Sequence, residues 1–392
     1  MAKKINLLIF KKFFQSGKIG GILLLICVFI SLWIANSAQS QNFIGFLAQN
    51  IGIHIGNFHL SYTISAWIND GLMAIFFLLV GLEIKRELLE GELSSLKKAS
   101  LPVLAALGGM IIPALIFFFF NKGDETASGW GIPMATDIAF ALAIIAMLGK
   151  SVPASLKIFL AALAIADDLG AILVIAIFYT AQIHWNYLLM AGGIFALLLG
   201  LNYFKITSLW FYLIPGLFLW YFVHHSGIHA TIAGVLLAFT IPTNTTAIES
   251  PLEKLEHFLT VPVNFLIMPI FALANTNITF QSEMVDGLIS PLGLGIVVGL
   301  FAGKTIGVTL FSWFAVKIKL AKLPSGANWK HIIGVGMLAG IGFTMSIFIS
   351  LLSFNNVDYI LEAKFAILCS SVIAGVSGFI YLKSLKHSAF KR

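Results

Sequence analysis

The chain has 392 residues, 59% of them hydrophobic and only 10% charged, against about 25% charged in an average soluble domain. That excludes a soluble globular protein and leaves an all-α integral membrane protein, long enough at about 20 residues per crossing for about ten to thirteen helices and without a polar block to form a separate domain. The formal net charge of +7 comes without basic clusters interleaved with aromatics, which excludes nucleic acid as a partner.

Apolar segments fall at residues 19–36, 66–84, 99–120, 129–148, 156–180, 186–203, 208–224, 227–241, 259–276, 288–314, 331–353 and 362–383. They predict twelve transmembrane helices in a single membrane transport domain over residues 1–392. The first segment follows a lysine-rich leader and ends in Ala35-Asn36-Ser37-Ala38, as a cleavable signal peptide does. Its apolar stretch is long for a signal core, and it is read as a retained helix. Cys27 here and Cys369 in the last segment match no metal-ligand or redox spacing and are read as packing residues.

Residues 41–65 form an external segment in which Ile51 to Ile55 and Phe58 to Tyr62 flank Gly56-Asn57. Alternation around a Gly-Asn pair predicts a β-hairpin. An exposed hairpin edge can pair with its copy on another subunit, which makes it a candidate homodimer contact; a hairpin lying on its own protein fits the sequence equally.

The second span ends in the charged turn Glu83-Ile84-Lys85-Arg86-Glu87, with Glu90 and Glu92 beyond it. The fourth is interrupted: Gly129, Gly131 and Pro133 precede Thr136-Asp137 where a helix should run. The fifth carries Asp167 and Asp168 in mid-span. A carboxylate at mid-bilayer costs about 2.5 to 3.5 kcal/mol, so two in succession call for a compensating role such as binding a cation or a proton.

A connection further on groups Glu249, Glu253, Lys254, Glu256 and His257. A solvated charge cluster is the default reading; a proton-sensing network is the alternative, since a histidine's ordinary pKa is about 6.5 and acidic neighbours move it. His224 and His225 lie near an external helix end and receive no role.

The tenth span places Lys304 in mid-membrane, where an ammonium needs a carboxylate or carbonyls. The intramembrane acids available to it are Asp137, Asp167 and Asp168. Adjacent helical residues point about 100° apart, so Asp167 and Asp168 cannot both face one partner. The eleventh span is interrupted by Gly334, Gly336, Gly340 and Gly342, followed by Thr344 and Ser346. Spans broken by Gly or Pro at matching places mark the substrate site of many transporters. Here they are the middle members of spans three to five and ten to twelve, which predicts inverted-topology repeats with two broken helices facing each other.

If connections alternate sides beginning inside, every lysine and arginine falls inside except Lys122, Lys364 and the membrane-embedded Lys304. The positive-inside rule then places both termini in the cytoplasm.

The runs Gly81-Leu82-Glu83-Ile84-Lys85-Arg86-Glu87, Ala135-Thr136-Asp137-Ile138-Ala139-Phe140, Ala164-Ile165-Ala166-Asp167-Asp168-Leu169-Gly170 and Gly340-Ile341-Gly342-Phe343-Thr344-Met345-Ser346 together resemble the NhaA family of bacterial Na+/H+ antiporters. The resemblance covers nearly the whole chain in order. It implies a multi-pass protein of the bacterial inner membrane with two broken helices crossing at mid-membrane, and electrogenic export of Na+ or Li+ from the cytoplasm in exchange for H+, serving sodium and pH homeostasis. Carried over by motif, Asp167 and Asp168 form the ion and proton site, with Asp168 the cation ligand and Asp167 the partner of Lys304. Thr136 and Asp137 line the crossing, where Asp137 offsets exposed amide ends, and Pro133, Gly340, Gly342 and Thr344 belong to the broken helices. Glu83, Arg86, Glu87, Glu253, Glu256 and His257 match the region linked to pH activation. Thr260 stands where well-known members have a second histidine, so the pH profile is the weakest transfer.

The mechanism expected is competition, in which Na+ or Li+ and protons share the two carboxylates. The bilayer, Na+, Li+ and H+ are the expected partners, with a second copy of the chain; no cofactor is expected. A sodium-coupled symporter of an organic solute would need more intramembrane Asn, Gln and Arg. An intramembrane di-aspartate enzyme would place its acids differently, and a passive channel would show uncoupled conductance.

Overall fold

The computed structural model describes residues 7–55, 58–180, 182–244, 249–281 and 283–385. Gly56 and Asn57 of the expected turn, and the terminal Lys3, Lys4, Lys386, Lys391 and Arg392, lie outside the described residues.

Eight helices among the described residues are long and apolar enough to cross a membrane: Ile64–Leu89, Leu96–Asn121, Glu125–Met147, Ala154–Phe178, Trp185–Tyr203, Pro251–Asn275, Pro291–Lys317 and Val357–Ser384. Two bent pairs, Ile19–Ala35 with Ser40–Leu47 at 114° and Trp329–Ala339 with Phe343–Ser353 at 48°, raise the number to as many as 10. The sequence pattern marks twelve segments, and the difference lies in two shorter helices, Trp210–His225 of 16 residues and Ile232–Thr240 of 9. At 1.5 Å per residue the second is about 14 Å long, roughly half the hydrocarbon thickness.

The chain divides into two compact units. The first comprises Met1–Leu25, Glu92–Ala171 and Phe280–Arg392. Its Leu96–Asn121 helix contains Pro102 and Pro113 and packs on the Lys304–Lys317 helix through Gly108 and Gly307. A Cβ on Gly108 would meet the Gly307 carbonyl oxygen at 2.3 Å, and one on Gly307 would meet that of Gly108 at 2.1 Å. Backbone touches backbone there, as small residues in membrane helices permit. Helix starts in this unit are capped by local sequence: Ser290 accepts the Gly293 amide ahead of Pro291, and Asn356 accepts that of Asp358.

The second unit comprises Ile26–Gly91 and Ile172–Thr279. Its strands β1 (Asn50–Ile55) and β2 (Phe58–Thr63) pair antiparallel with Ile51 opposite Tyr62. The Trp67 indole donates to the Ile51 carbonyl at 2.8 Å and ties β1 to the Ile64–Leu89 span. After one α-helical turn, Ile64–Ala66, that span contains a π-helical turn, Trp67–Leu72, whose Asn69 accepts from the buried Asn275 at 2.8 Å.

Candidate functional site

Glu125–Met147 is one helix only in outline. Its first part, Glu125–Met134, is a 3-10 helix containing Pro133, which has no amide hydrogen to donate. Ala135, Thr136 and Asp137 are extended or irregular, and an α-helix resumes at Ile138–Met147. The second interruption lies at Gly340, Ile341 and Gly342, between Trp329–Ala339 and Phe343–Ser353.

The two interruptions bond directly to each other. The Asp137 amide donates to the Ile341 carbonyl at 2.6 Å, and the Thr136 hydroxyl to the Ala339 carbonyl at 2.8 Å. Asp137 Oδ2 accepts both the amide of Thr344, at 3.0 Å, and its hydroxyl. Asp137 Oδ1 accepts the Phe140 amide at 3.1 Å, capping its own half-helix. Ser346 closes the crossing by donating to the Ile132 carbonyl at 2.8 Å. One carboxylate therefore meets the exposed amides of two half-helices, where backbone groups freed by a break need partners.

Gly340 and Gly342 permit this approach by lacking a side chain. Both have negative φ, so no left-handed conformation is involved. A Cβ on Gly340 would lie 2.4 Å from the Leu300 carbonyl oxygen, and one on Gly342 would lie 2.2 Å from Ser346 Oγ.

Asp167 and Asp168 lie midway along Ala154–Phe178, exposed to only 1% and 2%. Lys304, fully buried, follows the π-helical turn Gly299–Gly303, and such turns within α-helices occur often at functional sites. Its ammonium donates to Asp167 Oδ2. Asp167 Oδ1 has no hydrogen-bond partner among the described residues, and Thr136 lies close enough to interact with the Asp167 carboxyl. Asp168 acts electrostatically on the same ammonium. With all three ionised, two carboxylates against one ammonium leave one negative charge in a water-poor site. Buried charge requires compensation, which one cation or one proton supplies.

The six acidic, basic and histidine residues expected to act together in the other unit separate into three arrangements. Arg86 Nε donates to both oxygens of Glu256, at 3.0 and 2.9 Å, and Arg86 Nη1 to Glu87 at 2.9 Å. Half-buried Glu83 lies close enough to Arg86 to interact with it electrostatically. Glu253 instead forms a capping box with Ser250: its carboxylate accepts the Ser250 amide at 2.8 Å, and its amide donates to Ser250 Oγ at 3.2 Å. His257 pairs with Glu249 at 2.6 Å, and both are nearly half exposed. Thr260 donates to the Glu256 carbonyl of its own helix at 2.7 Å.

Ser250-Pro251-Leu252-Glu253 carries the sequence signature of a capping box with proline in the first turn, so that role was legible locally. Lys85 has no such signal. Its ammonium donates to the Phe239 and Ile241 carbonyls, at 2.7 and 2.5 Å, and so caps the C-terminal end of Ile232–Thr240. Among the described residues no group of three or more His, Cys, Asp or Glu is placed to hold a metal ion.

The family described as Na+/H+ antiporter 1 matches residues 11–382. The chain is similar to an Na+/H+ antiporter NhaA 2 of Flavobacterium johnsoniae, 63% identical over 98% of this chain and 94% of the relative. It is also similar to an Na+/H+ antiporter NhaA of Flavobacterium psychrophilum, 54% identical over 96% of each chain, and to one of Helicobacter pylori, 44% identical over 97% of each.

Proposed function

The chain belongs to the Na+/H+ antiporter 1 family, a family of secondary transporters and not of enzymes, and from that premise we propose that it exports Na+, and Li+ in its place, by electrogenic exchange for H+. It is a multi-pass membrane protein that exchanges Na+ for H+. The observation that carries the mechanism is the buried Lys304–Asp167 ion pair with Asp168 beside it. Burial favours the neutral carboxyl, and a nearby cation favours the carboxylate. A proton and Na+ therefore displace each other from the same oxygens. Asp168 is the principal cation ligand in this reading, and Asp167 holds Lys304 between transport events. Each net charge moved through 100 mV supplies about 2.3 kcal/mol, so the proton-motive force drives Na+ outward.

The finer architecture belongs to the same proposal. The whole chain acts as one transport domain of twelve spans in the bacterial inner membrane, with both termini cytoplasmic, as the lysine distribution supports. Residues 92–171 and 280–392, which contain both interrupted spans, share one compact unit; that supports reading them as inverted repeats around the ion site. The hairpin joins two copies into a homodimer, and Glu83, Arg86, Glu87, Glu253, Glu256 and His257 adjust activity to pH.

The test is Na+- and Li+-induced dequenching of a pH-sensitive dye in energised everted vesicles, for wild type and Asp168→Asn. Dequenching by wild type alone is expected. Full exchange by Asp168→Asn would remove this carboxylate from the mechanism.

A further inference from the structure

Thr309 Oγ1 and Ser312 Oγ are buried oxygens with no hydrogen-bond partner among the described residues. Both lie on the Lys304–Lys317 helix, whose first residue pairs with Asp167. A hydroxyl within a helix commonly donates back to a carbonyl of the preceding turn, and Thr305 on this same helix does so, to Phe301 at 2.6 Å. Thr309 and Ser312 make no such bond. A buried polar group left without a partner is costly, and where protein supplies none the partner is an ordered water or an ion.

The two hydroxyls share a face. At about 100° per residue, Thr305, Thr309 and Ser312 fall within a sector of about 60°. Positions three apart on a helix stand about 5–6 Å from each other at Cβ, a gap that one water spans. Gly307 packs on the Leu96–Asn121 helix from a neighbouring face, and Ile306, Leu310 and Trp313 are exposed on a third. The hydroxyl face meets the Trp329–Ala339 helix: a Cβ on Gly336 would lie 3.0 Å from Thr305 Cα. That helix ends at the crossing, where the Ala339 carbonyl accepts the Thr136 hydroxyl and Thr136 lies close enough to interact with Asp167. Ser312 is fully buried and stands about 12 Å along the axis from Lys304 at 1.5 Å per residue. The hydroxyl column therefore runs from the Lys317 half of the helix to the level of the ion site.

Two hydroxyls suit a proton better than Na+. A hydroxyl is one donor with two acceptor lone pairs, so it takes a proton from one neighbour while giving its own to the next. Na+ leaving water needs charge or a shell of oxygens in compensation, and neither Lys304–Lys317 nor Trp329–Ala339 contains a carboxylate. We propose that Thr309 and Ser312 line a water path that carries protons from the Lys304–Asp167 pair to the Lys317 end of the helix, the end that the lysine distribution places inside. Each step makes one O–H bond and breaks another, and the hydroxyls end the transfer as they began it. The proposal rests on the antiporter reading and adds to it the route by which H+ leaves the site.

Na+-driven proton movement in proteoliposomes is compared for wild type, Thr309→Val, Thr309→Ser and the double variant Thr309→Val with Ser312→Ala. Loss of both hydroxyls is expected to slow exchange at saturating Na+ by on the order of tenfold or more, with Na+ affinity by calorimetry unchanged. Thr309→Ser, which keeps the hydroxyl, should exchange faster than Thr309→Val. Wild-type exchange by the double variant overturns the proposal, as do equal rates for Thr309→Ser and Thr309→Val. Slowed exchange with weakened Na+ binding overturns it too, by placing the hydroxyls on the Na+ route. Water beside the hydroxyls is read by brief radiolytic hydroxyl-radical labelling, which oxidises side chains next to bound water. Ser312→Cys should be oxidised several-fold faster than Ala315→Cys, a fully buried position on a neighbouring face; equal oxidation overturns the proposal. The labelling decides where the double variant fails to insert. Absence of exchange in wild type would defeat the antiporter reading itself, an outcome on which the labelling does not depend.

Discussion

Asp137 Oδ2 accepts the backbone amide of Thr344 at 3.0 Å, across 207 positions of sequence. The bond turns two locally broken helices into one crossing, because the same carboxylate also accepts the Phe140 amide of its own half-helix.

Asp137→Ala should therefore strip acceptors from two buried helix ends at once. Each buried donor left unsatisfied costs about 1–3 kcal/mol, so a marked fall in the thermal unfolding midpoint in detergent is expected, together with loss of exchange. Asp137→Asn keeps one acceptor oxygen and should fall between alanine and wild type. An unchanged midpoint for Asp137→Ala would mean that the half-helices hold their places without it.

Lys304→Ala leaves Asp167 buried without its cation, and removing one partner of a buried pair costs about 3–5 kcal/mol. The expected result is a less stable protein with an altered pH dependence of exchange. The double variant Lys304→Ala with Asp167→Asn should recover much of that stability, since neither group then carries charge. A double variant as unstable as Lys304→Ala alone would show that packing of the lysine stem, and not the ion pair, supplies the stability.

Arg86 and His257 were grouped by sequence but differ in burial, and their variants should differ accordingly. Arg86→Ala leaves buried Glu87 and Glu256 without the guanidinium that binds both. It should lower thermal stability and shift the pH profile. His257→Gln breaks a half-exposed contact with Glu249, worth no more than about 1 kcal/mol, and should leave stability near wild type. Exchange across pH and thermal unfolding, measured together, check both; equal destabilisation by the two changes would contradict the structural division.

Gly307→Val would drive a side chain into the Gly108 backbone, where even a Cβ would be 2.1 Å from the carbonyl oxygen. Separation of the two helices, with a large loss of thermal stability, is the expected outcome. Wild-type stability would mean that the helices slide apart at little cost.

The sequence alone marked where apolar segments run, where Gly and Pro interrupt them, and which few charges lie deep. These are local properties, written in hydropathy, in proline's missing amide hydrogen and in the cost of burying charge. The strands β1 and β2 were legible for the same reason, through alternation around a Gly-Asn pair. The capping role of Glu253 was equally local, in a Ser-Pro-Leu-Glu run that its acidic neighbours obscured.

Tertiary structure decided everything that joins distant segments. Hydropathy marks Lys304 as needing a partner, but only packing brings Asp167 Oδ2 to its ammonium across 137 positions. Ile341 and Ile132 are apolar residues whose backbone carbonyls accept bonds in the crossing, and no side-chain pattern can announce a backbone acceptor. Lys85 reads as a loop cation, yet its ammonium caps the end of a helix through carbonyls 154 and 156 positions away. Composition sets how much a residue gains by leaving water; which group it then meets depends on chain neighbours hundreds of residues away.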